Sequence, residues 1–223
     1  MQISIAIDGP AGAGKSTIAK LLADKYNLMY INTGAMYRVV TLKAMENKIS
    51  PENEGDLIEL IKNLNMYFNE DRIIVNEEDL TDKIYMPIIS KNVSYYSSIK
   101  EVRKLLVYLQ RSISDKYSVI MDGRDIGTVV LKNASLKIFL TASPDTRAKR
   151  RYKELAEKGL DVKYQEILDD IKKRDYLDSN REVSPLTKAK DAIEIDGSNL
   201  NIHEVVALIS KYIDSIILSG EKQ

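Results

Sequence analysis

The sequence predicts an α/β protein, a parallel sheet with helices on both faces, interrupted by one inserted subdomain and one short polar segment. Three observations lead there. Short apolar runs alternate with stretches of helical spacing along most of the chain. A glycine-rich turn, Gly9 to Gly14, joins the first such run to the first helix. The 223 residues are 44% hydrophobic and 30% charged, the balance of a chain that builds a core rather than a disordered one.

The elements follow in order. Ile3 to Ile7 reads as a buried strand, and Ile18, Leu21, Leu22 and Lys25 keep helical spacing after the turn. Met29-Tyr30-Ile31 reads as a second strand, with further strands at Ser118 to Met121, Lys137 to Thr141 and Ala192 to Ile195. Helices are expected at Val102 to Ser114, Thr146 to Lys158, Tyr164 to Tyr176 and His203 to Leu218. The last carries Val205, Val206, Ile209, Tyr212, Ile213, Ile216 and Ile217 as one apolar stripe for docking on the sheet. His203 opens that helix and is expected on the surface.

The middle of the chain breaks the alternation. Leu57 to Leu64 reads as a helix, and Asn65 to Phe68, Asn69-Glu70-Asp71 and Arg72 to Val75 read as a hairpin. Ser90 to Ser98 is polar and tyrosine-rich. Residues 60–95 are therefore expected to form a small insert. A second segment, 147–162, is rich in basic residues and expected to be exposed.

Composition narrows the chemistry. There are 33 Lys+Arg against 33 Asp+Glu, one His and no Cys. Disulfides, thiol catalysis and multi-His metal sites are excluded, and the balanced charge gives no general attraction to nucleic acid. No apolar run approaches the ~18 residues of a membrane span. The N-terminus lacks a basic, cleavable leader, so a cytoplasmic protein without a membrane partner is expected.

Gly9-Pro10-Ala11-Gly12-Ala13-Gly14-Lys15-Ser16 matches Gly-x-x-x-x-Gly-Lys-Ser/Thr between a strand and a helix, the context of a P-loop, so the sheet is expected to be of the P-loop NTPase type. Glycines let several N–H groups turn inward on a phosphate, and the helix start adds its positive dipole end. Lys15 is expected on the β- and γ-phosphates, and the Ser16 hydroxyl on Mg²⁺.

Asn32-Thr33-Gly34-Ala35-Met36-Tyr37-Arg38 follows the second strand, and Met121-Asp122-Gly123-Arg124-Asp125-Ile126-Gly127 follows another. Ligands in open α/β sheets bind at these carboxyl ends. Asp122 is a candidate carboxylate for Mg²⁺, with the capping of a turn as its ordinary alternative. Arg174, Asp178 and Arg181 share one helical face, as do Arg147, Arg150 and Arg151. Arginines on several segments suit a transferring phosphoryl group, where catalysis is mainly positioning and charge neutralisation.

Together these segments, with Gly127-Thr-Val-Val130, Arg174-Asp175, Asn180 and Arg181, resemble the bacterial cytidylate kinase (CMP kinase) family of nucleoside monophosphate kinases. The resemblance implies a five-stranded parallel core (about 1–36, 113–146 and 163–223), a monophosphate-binding domain (about 37–112) containing the insert, and a short lid (about 147–162). It implies transfer of the ATP γ-phosphate to CMP or dCMP with Mg²⁺ by a monomeric enzyme. Gly9, Pro10, Ala11, Gly12, Ala13, Gly14, Lys15, Ser16 and Thr17 would hold ATP together with Arg150. Ser16 and Asp122 would hold the metal. Lys15, Arg124, Arg147, Arg151 and Arg174 would act on the moving phosphoryl group. Thr33, Tyr37, Arg38, Gly123 and Arg124 would surround the acceptor's phosphate. Ser94, Arg103 and Asp125 would face cytosine, and Arg174, Asp178 and Arg181 would line ribose, phosphate and base. Arg147, Arg150 and Arg151 would be lid groups closing on ATP.

Two departures stand out. The family usually has Asp where Asn32 stands, and Ile-Arg-x-x-Glu-Val where this chain reads Ile84-Tyr85-Met86-Pro87-Ile88-Ile89. The alternatives are another small-molecule P-loop kinase or a nucleotide-binding switch. A GTPase switch would need an Asn-Lys-x-Asp segment, which the chain lacks.

Overall fold

The computed structural model describes residues 2–69, 72–157 and 159–220. Glu70, Asp71 and Lys158, expected in the hairpin tip and at a helix end, lie outside the described residues. The chain runs β1 (Ser4–Asp8), α1 (Lys15–Tyr26), β2 (Met29–Asn32), α2 (Thr33–Glu46), α3 (Glu54–Lys62), β3 (Met66–Asn69), β4 (Arg72–Val75), β5 (Glu78–Asp79) and a 3-10 turn (Lys83–Tyr85). It continues as α4 (Pro87–Ser97), α5 (Lys100–Ser114), β6 (Val119–Gly123), a π turn (Ile126–Val130), β7 (Leu136–Thr141), α6 (Pro144–Glu157), α7 (Tyr164–Asn180), β8 (Ile193–Asp196) and α8 (Ile202–Gly220).

Among the described residues the main sheet has five strands in the order β2-β6-β1-β7-β8, all parallel. The pleat sorts its side chains. Ile5, Ile7 and Ile120 face α1 and α8, where Ile18, Leu22, Val205, Ile209 and Ile213 cover them. Ala6, Val119 and Met121 face the opposite way, toward Met36, Val40, Leu106 and Val107 of α2 and α5. Both faces are buried, which is why these strands read as continuous apolar runs and not as alternating ones. The connection leaving β1 goes to β2 and that leaving β6 crosses to β7, so the chain diverges above this strand pair and leaves a crevice at its carboxyl ends.

The insert is not a separate body. Leu57 and Ile61 of α3, Ile73 and Val75 of the antiparallel β3-β4-β5 sheet, and Ile89, Val93 and Tyr96 of α4 share one core with α2 and α5. The polar stretch after Ser90 is helical: Pro87 starts α4, and Ile89, Val93 and Tyr96 put one narrow apolar stripe inward. Boundaries expected near 36, 112 and 146 fall inside α2, α5 and α6, so each unit continues into the next through a helix. Beyond the sheet, Ala148 and Leu155 of α6 pack on Ile167, Leu168 and Ile171 of α7.

The turn out of β1 depends on Gly9. Its φ is +149°, and a Cβ there would collide with the Leu140 carbonyl of β7. Gly9→Ala should therefore lower the stability to urea by at least about 2 kcal/mol, since overpacking against backbone cannot relax by side-chain movement. An unchanged unfolding midpoint would contradict this close approach.

Candidate active site

The phosphate loop spans the gap from β1 to α1, and β6 lies beside β1 with Ile7 opposite Asp122 and Asp8 opposite Gly123. Asp8 ties the two strand ends together. Its buried carboxylate accepts from the Ile126 and Gly127 N–H groups at 2.7 Å each. Burial pushes Asp8 up to about 6, the two backbone hydrogen bonds oppose that, the Asp125 charge adds to it and Lys15 counters it. Asp8 was not singled out from the sequence, where its only signal is a charged residue ending an apolar strand.

Oxygen donors converge beside the loop. The Ser16 hydroxyl donates to one Asp122 oxygen at 2.8 Å, and the Tyr30 hydroxyl donates to the other at 2.8 Å. Burial and the Asp122 charge hold the Tyr30 phenol far above its usual range, so it stays protonated as the donor. Thr33 donates to the Asp122 carbonyl at 2.7 Å. Lys15 is buried, with Nζ donating to the Pro10 carbonyl at 2.7 Å. Burial first, then the charge of Arg124, pulls its pKa well below the ordinary lysine value.

Lys15, Ser16, Thr33 and Asp122 open onto a cavity of about 160 Å³ lined also by Tyr37, Arg38, Arg103, Gly123, Arg124, Asp125, Arg174, Asp178 and Arg181. Segments far apart in sequence thus meet at one cavity. Arg124 Nε donates to Asp178 at 2.8 Å, Arg103 donates to Asp125, and Arg181 lies 3.7 Å from the other Asp125 oxygen. Cations outnumber carboxylates here. Burial, then Arg124 and Arg38, lower Arg174 to about 9, and burial lowers Arg38 to about 10. Burial would raise Asp178, but Arg124 and Arg174 bring it below its ordinary value. Among the described residues, the buried Tyr37 hydroxyl, Arg103 Nε, Arg174 Nε and Arg181 Nη2 have no hydrogen-bond partner. Such atoms are costly to bury, and their convergence on one cavity marks it as a polar ligand's site.

Not every expected residue reaches the cavity. Thr17 is exposed on α1, and Gly9, Pro10, Ala13 and Gly14 shape the loop without lining the cavity. Ser94 stands beside Asp178 at 3.5 Å, while Ser97, one turn later, lines the cavity. Arg151 pairs with Glu154 at 2.7 Å. Arg147 and Arg150 differ most from the lid groups expected on ATP. Arg147 is 2% exposed, fixed on Asp175 and on the Ala11 and Ala142 carbonyls, and Arg150 donates to the Gly197 carbonyl at 2.7 Å. The physical reason is position: both sit in the first half of α6, where it packs against the back of the phosphate loop. The base of the segment is anchored, not loose.

The two departures touch each other. Asn32 Oδ1 accepts from the Ala35 N–H and caps α2, and Nδ2 donates to the Tyr85 hydroxyl at 3.0 Å. The Arg38 guanidinium lies over the Tyr85 ring, 5.2 Å from its centre, and donates to the Ile84 carbonyl and Ser90. A neutral contact thus joins the core to the insert at the cavity rim, next to the arginine that faces the cavity.

A family model described as cytidylate kinase matches residues 5–215. The cytidylate kinase of Clostridium perfringens (strain SM101 / Type A) is 64% identical over 212 residues, covering 95% of this chain and 98% of that one. The cytidylate kinase of Clostridium tetani (strain Massachusetts / E88) is 60% identical over 218 residues, covering 98% and 96%. Among solved structures, a shikimate kinase from Bacteroides thetaiotaomicron aligns with a TM-score of 0.50 at 14% identity over 95% of this chain and 98% of that one, a likeness of fold alone.

Asp8 makes stability depend on pH. Its folded value, about 6, lies above its ordinary 3.8, so its contribution favours the fold below 3.8 and is lost as pH rises through 6. Between about pH 4 and pH 7 wild type should lose roughly 2 kcal/mol relative to Asp8→Asn, measured by urea unfolding at each pH. A difference that stays flat over that range would contradict the buried, proton-binding carboxylate.

Proposed function

The chain belongs to the cytidylate kinase family, and from that premise we propose how its cavity divides the work of the reaction. The enzyme phosphorylates CMP with ATP. The observation that carries the assignment of roles is that the phosphate loop and the arginine-rich acceptor groups open onto one cavity.

ATP phosphates lie on the loop, with Lys15 leaving the Pro10 carbonyl for the β- and γ-oxygens. The CMP phosphate lies among Thr33, Arg38, Gly123 and Arg124, all lining the same cavity. One of its oxygens attacks the γ-phosphorus in line while the bond to the β-phosphate oxygen breaks. The chain supplies positioning and positive charge rather than covalent chemistry. Lys15, Arg124 and Arg174 surround the moving group, and Arg151 approaches from α6.

Ser16 and Asp122 fit Mg²⁺, being hard oxygen donors side by side at the loop. Among the described residues no group of three or more His, Cys, Asp or Glu could cage a metal, so this pair would hold Mg²⁺ together with phosphate oxygens and water. Bound there, the ion would neutralise charge on the β- and γ-phosphates. Asp122→Asn should raise the Mg²⁺ concentration for half-maximal rate several-fold; an unchanged metal titration would leave Asp122 as a strand-end hydrogen-bonding group only.

The base lies against Arg103, Asp125 and Arg181, with Asp178 and Arg174 toward the sugar, and with Ser94 behind Asp178. Tyr37 supports Arg103 from below, its ring 5.2 Å from the guanidinium. dCMP is proposed as a second acceptor, the cytoplasm as the location and the monomer as the active form. No helix among the described residues is long and apolar enough to cross a membrane.

A coupled assay of ADP release against a panel of nucleoside monophosphates and shikimate tests the proposal. CMP should give the highest kcat/KM, and preference for any other acceptor would overturn it. Base selection makes a sharper expectation. Asp125 accepts from the cytosine amine, whereas uracil would present a carbonyl to a carboxylate. Asp125→Asn places a donor there with little change of volume, so the CMP/UMP ratio of kcat/KM should narrow roughly ten-fold or more. Equal losses for both substrates would show that Asp125 only holds Arg103 in place.

A further inference from the structure

Arg147 stands on the far side of the phosphate loop from the cavity. It lines a second hollow with Pro10, Ser143 and Asp175, while Ala11 and Gly12 line the donor and acceptor cavity. Its guanidinium is nearly spent. Nε donates to the Ala142 carbonyl at 2.8 Å, Nη1 to the Ala11 carbonyl and Asp175 Oδ1 at 3.0 Å each, and Nη2 to Asp175 Oδ2 at 2.6 Å. These contacts use four of the five N–H donors of an arginine. The fork on Asp175 fixes the plane of the group, which fixes where Nη1 points. α6 also presses on the loop: a Cβ on Gly12, whose φ is +76°, would lie 3.4 Å from the Arg147 Cβ.

The direction of the Ala11 carbonyl matters because a trans peptide points its C=O and the following N–H opposite ways. Holding the Ala11 carbonyl toward Arg147 turns the Gly12 N–H the other way, into the phosphate side of the loop. Arg150 leans on the same loop more weakly, 3.5 Å from the Ala13 carbonyl, while its other end holds Gly197.

We infer that Arg147, oriented by Asp175, is a positioning residue for the phosphate loop: it holds the Ala11 peptide so that the Gly12 N–H faces the donor phosphate, and does not itself bind the transferring group. Asp175 acts through Arg147. The inference deepens the reading of the loop as the ATP site and rests on it. A phosphate loop is a ring of small dipoles, and one reversed peptide would present a carbonyl oxygen to an anion. Fixing the peptide before ATP arrives removes that alternative and the entropy of choosing between the two.

The test uses the whole enzyme and ADP as probe, by calorimetry, in wild type, Asp175→Asn and Arg147→Lys. A lysine keeps the charge but cannot span both Asp175 and Ala11. Both variants should bind ADP roughly ten-fold more weakly with CMP affinity unchanged, and the Gly12 amide NMR signal should shift or broaden in the nucleotide-free protein. A fall in kcat with ADP affinity intact would mean that Arg147 acts on the moving phosphoryl group directly, and overturns the inference. Parallel losses for ADP and CMP with an unchanged Gly12 amide signal overturn it too, as a general loss of structure. Should neither variant fold, wild type still decides: the ¹⁵N signals of the Arg147 guanidinium should hardly move when ADP and CMP bind, and a large shift refutes a residue kept off the phosphates. Wild type that binds no ADP would sink the ATP-site reading itself, a result separate from these.

Discussion

The structure is organised around an excess of buried positive charge. Lys15, Arg38, Arg103, Arg124, Arg174 and Arg181 line a cavity that Asp122, Asp125 and Asp178 only partly neutralise. Like charges in a poorly hydrated space repel, and the repulsion is visible in Lys15, Arg174 and Arg38, each pulled below its ordinary value by burial together with its neighbours. The fold tolerates this because two of these carboxylates are each shared between arginines. Asp125 serves Arg103 and Arg181, and Asp178 serves Arg124 with Arg174 at 3.9 Å. The phosphates of the two substrates would supply the missing negative charge, so substrate binding would complete an electrostatic arrangement that folding leaves unfinished.

Everything around the cavity keeps that arrangement in place. The parallel sheet aligns the ends of β1 and β6, Asp8 bolts the π turn onto them, and the turn carries Arg124 and Asp125 at its entrance. A π turn widens the helical ring by one residue, which lets the Asp125 carbonyl take both the Val129 and Val130 N–H groups while its side chain stays free to reach the arginines. On the opposite side, Tyr85 and Asn32 close the rim without adding charge.

Much of this was legible before any coordinates. The phosphate loop is a local motif whose chemistry depends on neighbouring residues, and the strands are buried on both faces, so Ile3 to Ile7 and Lys137 to Thr141 announce themselves as apolar runs. Asp122, Arg124 and Asp125 were legible for the same reason, since they follow a strand end directly. What sequence could not give was partnership across the fold. Arg147, Arg150 and Arg151 share a helical face by spacing, yet Arg147 and Arg150 brace the loop while Arg151 pairs with Glu154, because the packing of α6 decides which part of the face meets which wall. Asn32 and Tyr85 were each noticed as departures. That they meet, 53 positions apart, is a property of the folded insert. Asp8 was missed because a carboxylate that bonds only backbone N–H groups leaves no partner side chain to pair it with.

The central claim, that phosphate charge is what the cavity lacks, is tested most directly by comparing cytidine with CMP on the wild-type enzyme. The two differ only in the phosphate, so thermal unfolding at low ionic strength with equal concentrations of each isolates its effect. CMP should raise the unfolding temperature clearly and cytidine hardly at all, corresponding to an affinity gap of roughly a hundred-fold from two charge-assisted contacts. Equal stabilisation by cytidine and CMP would contradict the account, since the base and sugar would then supply the binding energy and the cationic cavity would need another explanation.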